Sequence, residues 1–204
     1  MVPVVVTTGV DGRRTGRRPA TSAAELEHLA LQMFTKRGFE ETTVDDIARA
    51  AGIGRRTFFR YFASKNDVPW GDFDGQLEVM RASLAAATAG EPMLAVLRRA
   101  ILDFNTYPPA EGDWLRRRMT LILRTPALQA HSTLRYASWR GVIAEFVARR
   151  AGQPVDALAP QAVAATHLGV SVAAYEQWLR AEGADLVALL DEALGLLATG
   201  FQAI

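Results

Sequence analysis

The segment TTVDDIARAAGIGRRTFFRYFASKND, Thr42 to Asp67, constrains the fold more tightly than any other part of the chain. Thr43, with Asp46 three residues on, makes a capping box, which starts a helix by satisfying its free backbone donors. Ile47, Ala48 and Ala51 give that helix an apolar side, and Gly52 stops it. A second short helix, RRTFFRYF, follows Gly54, and Ser64 caps a further one with Asp67 in its first turn. Two short helices joined by a tight glycine-containing turn form a helix-turn-helix, whose second helix lies in the major groove of DNA.

Helical period on that second helix sends Ile53, Phe58 and Phe62 inward, and Arg55, Arg56, Thr57, Phe59, Arg60 and Tyr61 outward. Arg56 and Arg60 are four apart and project together, as do Thr57 and Tyr61. Guanidinium forks match guanine edges, and hydroxyls reach phosphates or bases. Lys65 and Thr43, each near a helix start, are placed for phosphate contact. Residues 1–20 carry four arginines among Gly, Thr and Pro without apolar periodicity. They read either as a flexible basic arm, in which Arg17 and Arg18 are further candidate DNA contacts, or as a solvated start with no role.

Composition agrees in its distribution more than in its total. The chain of 204 residues has a net charge of only +1, but residues 1–65 hold 11 basic against 7 acidic side chains, and the rest 12 against 15. Half the residues are hydrophobic, enough for a sizeable core. There is no cysteine and there are three scattered histidines, so thiol chemistry is excluded and metal chemistry is disfavoured. No nucleophile elbow or phosphate loop is present, so the chain is expected not to be an enzyme and to need no cofactor. No apolar run approaches the ~18 residues of a membrane span, and the N-terminus makes a poor signal peptide; a cytoplasmic protein is expected.

From Thr21 onward the period is helical almost throughout, punctuated by glycine and proline, and period-two alternation is nowhere sustained. The expected architecture is all-α with about nine helices: a helix-turn-helix domain of three helices over residues 21–66, and a larger back domain over 67–204, to which the resemblance described next assigns effector binding and dimerisation.

The segment TTVDDIARAAGIGRRTFFRYFASKNDV resembles the N-terminal region of TetR-type transcriptional regulators, whose pattern runs T-x-x-x-I-A-x-x-A-G, a short turn, then T-[FL]-[YF]-x-[HY]-F-x-[SN]-K-x-[DE]-L. Gly54 stands where a capping Ser is common, and Phe59 where Tyr is usual, which removes one hydroxyl from the phosphate contacts. A narrower likeness, carried by GIGRRTFFRYFASKNDVPWGDFD, FNTYPPAE, RMTLILRTPALQAHSTLRYASWR and AAYEQW, is to the TetR-type regulators that accompany mycofactocin biosynthesis clusters in actinobacteria. The resemblance implies a homodimeric repressor released from DNA by a small effector, with long-chain acyl-CoA thioesters the suspected class. A ligand-binding protein that keeps the fold without DNA binding is the alternative.

The last two helices are apolar all round, so one face serves the core and the other needs a partner. Val163, His167, Val170, Ala174 and Trp178, with Leu190 and Leu194, are expected to form a symmetric four-helix dimer interface, full burial inside a monomer being the alternative, and two-fold symmetry then predicts a palindromic operator. Candidates for an effector cavity come from the middle helices: Phe73, Leu77, Phe104, Trp114, Met119, Ile122, Tyr136, Trp139 and Tyr175. The run Arg116-Arg117-Arg118 either receives an anionic head group or forms a solvated face, and His131 and His167 are expected at the surface and the interface.

Overall fold

A computed structural model describes residues 22–200 and residue 202. Nine α-helices and two short 3-10 turns account for their regular structure, and no strand occurs among the described residues. Helix α1 spans Ala23–Arg37, α2 Val44–Ala51 and α3 Arg55–Tyr61. A 3-10 turn over Lys65–Trp70 leads into α4, Phe73–Ala86, and α5 follows over Met93–Phe104. Then come α6 (Gly112–Arg124), α7 (Pro126–Ala151), α8 (Leu158–Arg180) and α9 (Leu186–Ala198). The basic arm, with Arg17 and Arg18, lies outside the described residues.

The helix starts follow local chemistry. Ser22 and Thr43 each form a complete capping box, with Glu25 and Asp46 respectively. Gly52 closes α2 at φ +69°, the left-handed conformation that a side chain disfavours, and so makes the tight turn. The expected fourth helix is instead the 3-10 turn: the Ser64 hydroxyl caps it, and Pro69 inside it removes a backbone donor before α4 begins.

Two buried clusters organise the chain. The first joins Leu26, Leu31 and Phe34 of α1, Ile47 and Ala51 of α2, and Phe58 and Phe62 around α3, and it takes in Leu128 from α7. The second is built from α4 to α9, with α8 packed on both α7 and α9. Between them sits a buried group of charges. Asp67 of the 3-10 turn receives Ser64 Oγ at 2.7 Å, His131 Nε2 at 2.9 Å and a guanidinium nitrogen of Arg135 at 2.6 Å, and Arg135 also reaches Asp74 at 3.0 Å. His131, expected at the surface, is therefore a half-buried tie between the turn and α7.

Burial alone would raise the Asp67 carboxyl, but hydrogen bonds from Ser64, Arg135 and His131 outweigh it and hold the group below the ordinary carboxylate range. A group depressed in the folded state gives stability that is complete above the unfolded value, about 3.9, and is lost as pH falls through the folded one. Asp67→Asn is expected to lower unfolding free energy by about 2 kcal/mol at pH 7. In urea titrations the gap between wild type and variant should shrink below about pH 4; a gap unchanged down to pH 3 would show that the charge of Asp67 is not what stabilises the turn.

Candidate DNA-binding face and effector cavity

Helix α3 presents its outer side as expected. Phe58 is fully buried and Phe62 nearly so, while Arg55, Arg56, Phe59 and Arg60 are exposed and Thr57 and Tyr61 half-buried. Most of the polar groups are already engaged. Arg55 pairs with Asp45 of α2 at 2.9 Å and lies over the Phe59 ring, and Arg60 lies over Tyr61, reaching its hydroxyl at 3.3 Å. Among the described residues Arg56 has no such anchor, and with Thr57, Phe59 and Arg60 it borders a shallow surface hollow. The hydroxyl of Thr43 donates to Asp46 at 2.6 Å within the capping box, and Lys65 donates to the Phe39 carbonyl at 2.8 Å across that residue's ring. Both of these phosphate candidates are thus occupied in this conformation. Gly54 gives α3 no side-chain cap.

Deeper in the molecule, a cavity of about 80 Å³ lies where the 3-10 turn, α4, α5, α6, α7 and α8 converge. Seven of the nine sequence candidates line it: Phe73, Phe104, Met119, Ile122, Tyr136, Trp139 and Tyr175. Leu77 does not. It lies one turn further along α4, beside Ser138 and Gly141 of α7. Trp114 belongs to the first buried cluster, stacked on His28 of α1 at 4.6 Å between ring centroids. Sequence period could not phase either residue, because α4 and α6 each meet more than one neighbour.

The walls also hold polar groups that apolar patterning could not single out. Tyr175 donates to Asn105 Oδ1 at 2.7 Å, and Asn105 Nδ2 in turn reaches the Ile101 carbonyl. Burial raises the Tyr175 phenol well above its ordinary value, so the group stays a donor at any working pH. Trp70 Nε1 and Arg118 Nε are buried without a hydrogen-bond partner. Arg118 pairs with Glu27 of α1, both nearly buried, and burial pushes the Glu27 carboxyl up against the opposing pull of that guanidinium.

The arginine run is therefore not a single solvated face. Arg116 reaches the carbonyls of Trp178 and Ala181 at the end of α8 and lies over the Trp178 ring, Arg117 lies over Trp114, and only Arg118 lines the cavity.

At α8 and α9 the expected interface is corrected. His167, Ala174, Trp178, Leu190 and Leu194 are buried within the subunit. His167 Nδ1 donates to the Val163 carbonyl at 2.7 Å, and burial lowers its pKa, while Trp178 Nε1 donates to the Ala184 carbonyl. Val163 and Val170 remain half-buried. The exposed stripe of α8 is instead Leu158, Ala162, Ala165, Gly169, Ala173 and Gln177. A helix apolar all round gives the sequence no means of choosing which side faces inward.

Comparison with known proteins bears on this arrangement. The family model for bacterial regulatory proteins of the tetR family matches residues 28–68, and that for the MftR C-terminal domain matches residues 91–202. The chain belongs to the TetR family of transcriptional regulators. It is 46% identical over 189 residues, 93% of this chain and 96% of the other, to the proposed mycofactocin biosynthesis transcriptional regulator MftR of Mycobacterium tuberculosis. It is 32% identical to the regulator TcmR of Streptomyces glaucescens over 81% of this chain and 76% of that one. Among solved TetR-family structures, the repressor FadR of Thermus thermophilus, in complex with lauroyl-CoA, shares 25% identity and a TM-score of 0.56 over 88% of this chain and 94% of that one. FadR of Bacillus subtilis, in complex with stearoyl-CoA, shows the same fold with a TM-score of 0.64 at 18% identity, over 88% of this chain and 99% of that one.

Within the family fold, the Tyr175–Asn105 pair fixes one wall of the cavity. Tyr175→Phe is expected to cost about 1–3 kcal/mol, because it leaves the Asn105 oxygen buried without its donor. Urea unfolding at pH 7 measures this; a loss below about 0.5 kcal/mol would mean that the pair contributes nothing net.

Proposed function

We propose that the protein is a homodimeric repressor of the TetR type. Two copies of α3 bind a palindromic operator, and a long-chain acyl-CoA in the cavity releases it. Residues 21–66 serve as the DNA-binding domain and 67–204 as the effector-binding and dimerisation domain, acting in the cytoplasm. The observation that carries this reading is the join between the two: the turn that leaves the DNA-binding helices supplies Pro69 and Trp70 to the cavity wall, and α4 then adds Phe73 and Gln76. Lauroyl-CoA in the Thermus relative supports the effector class.

Physical size supports a moving wall. The cavity is far below the roughly 300–1,000 Å³ of ordinary ligand sites, so an acyl chain enters only if α4 and the turn shift. That shift changes the separation of the two α3 helices. Coupling of about 1–3 kcal/mol would lower operator affinity about five- to 150-fold.

Dimerisation is assigned to the exposed stripe of α8 with the outward residues of α9. Ala165, Gly169 and Ala173 are small, and nothing lies within 4 Å of where a Gly169 side chain would begin, so a partner helix can approach closely. Half-exposed Val187, Leu196 and Leu197 on α9 extend the same apolar area.

Selection of duplexes from a random pool, at two salt concentrations and with stearoyl-CoA added, tests the whole reading. A palindrome whose recovery falls steeply with salt and with the thioester is the expected outcome, and failure to enrich any sequence would overturn it. Arg56→Ala should cost about 1–3 kcal/mol of operator affinity and relax base preference at one position; an equal loss on all sequences would make it a phosphate contact. Gly169→Arg should sediment as a folded monomer and lose operator binding, whereas an intact dimer would place the interface elsewhere.

A further inference from the structure

Arg118 touches both halves of the arrangement. From α6 it lines the cavity, and across the molecule its guanidinium pairs with Glu27 on α1, the first of the DNA-binding helices. Glu27 in turn lies against Gly71, between the 3-10 turn and α4. Gly71 has φ +53°, and a Cβ there would sit 2.7 Å from a Glu27 carboxylate oxygen. Glu27 is thus held between the cavity's arginine on one side and the backbone link to the DNA-binding helices on the other.

The pair leaves part of the guanidinium unused. Arg118 Nε carries a buried hydrogen with no acceptor, and so does Trp70 Nε1, whose residue lines the same cavity. Unmade hydrogen bonds of buried donors are costly, so an acceptor oxygen brought into the cavity is drawn to these two groups. A guanidinium offers five donors in a fixed fork, so one that turns to serve a new acceptor must give up geometry toward its old one.

We infer that Arg118 is the residue through which the contents of the cavity reach the DNA-binding helices: a carbonyl or carboxylate oxygen at the head of an apolar chain engages Arg118 and Trp70, loosens the Arg118–Glu27 pair, and frees α1 and the Gly71 link to move. This rests on the reading of the cavity as the effector site. The ion pair is then the DNA-binding state's latch, and the ligand's oxygen is the competitor that opens it. Arg118 acts on DNA binding only through Glu27, and is a positioning residue for that function.

The experiment measures operator affinity of the full-length dimer by fluorescence anisotropy, with and without stearoyl-CoA, for wild type, Glu27→Gln, Arg118→Met and the double variant. Ligand binding is followed separately through tryptophan fluorescence. The double variant removes both charges, so it folds even where a single variant, left with one unpaired buried charge, does not. Without ligand, each single variant should bind operator more weakly by about three- to tenfold, and the double variant no more weakly than either single one, because one interaction is lost in all three. With ligand, the wild-type loss of affinity should shrink to less than about threefold in Glu27→Gln and the double variant, while Glu27→Gln still binds stearoyl-CoA.

A purely structural pair would lower the melting temperature and leave the ratio of operator affinities with and without ligand at its wild-type value; that result overturns the inference. So does Arg118→Met binding stearoyl-CoA as tightly as wild type. If stearoyl-CoA binds wild type without changing operator affinity, or does not bind, the effector class proposed above fails. The latch is then decided by the ligand-free cycle, where additive losses from the two single variants overturn it and non-additive losses support it.

Discussion

A helix of seven residues has too few internal hydrogen bonds to persist in water, and α3 has just that length. Everything the protein offers to DNA depends on what holds this helix from outside. Phe58 and Phe62 do so by burial against α1 and α2, the capping box starts α2, left-handed Gly52 makes the turn before α3, and Gly54 adds no cap of its own. The cluster that holds it reaches Leu128 on α7 and the ring of Trp114 on α6. The DNA-facing helices therefore share their core with the helices around the cavity, and the boundary between the two is a packing surface, with no flexible linker in it.

That boundary is also where the chain buries charge. Glu27 and Asp67, one on α1 and one in the 3-10 turn, each meet an arginine from the helices behind, Arg118 and Arg135. Buried ion pairs contribute little net stability, because desolvation offsets attraction, but they punish any other register in which the charges are left unpaired. Two such pairs at the two ends of the joint hold the DNA-binding helices in one orientation. His131, Ser64 and Asp74 complete the Asp67 group, so that end is satisfied throughout, while the Arg118 end keeps an unused donor.

How far the sequence foretold this varies with the kind of information each part needs. The DNA-binding helices were legible because their signals are local: a capping box spans four residues, Gly52 stops a helix where it stands, and the alternation of Phe58 and Phe62 with Arg56 and Arg60 repeats within two turns. The cavity was legible in outline, since large apolar and aromatic residues on the middle helices have few other places to go. Trp114 and Leu77 went elsewhere because their helices have several neighbours, and spacing cannot tell which neighbour a given side meets. The phase of α8 was not legible at all. Its apolar residues surround the helix, and packing on α7 and α9 is what decides which of them face inward, with Trp178 Nε1 tied to the Ala184 carbonyl beyond the helix end. The Glu27–Arg118 pair joins residues 91 positions apart, a distance at which one sequence carries no pairing signal.

The small size of the cavity has a consequence for how strongly any ligand can bind. On the proposed reading a chain binds a wider conformation than this one, whose cavity holds about 80 Å³. A ligand that binds only that wider conformation shows an affinity weakened by its share of the population: a conformer present one time in about a hundred makes the apparent dissociation constant about a hundredfold larger. If the cavity is the effector site, the tight packing of Trp70, Phe73 and Tyr136 around the space acts as a threshold setting. It would then fix how much ligand must accumulate before the molecule responds, independently of how well the ligand fits once inside.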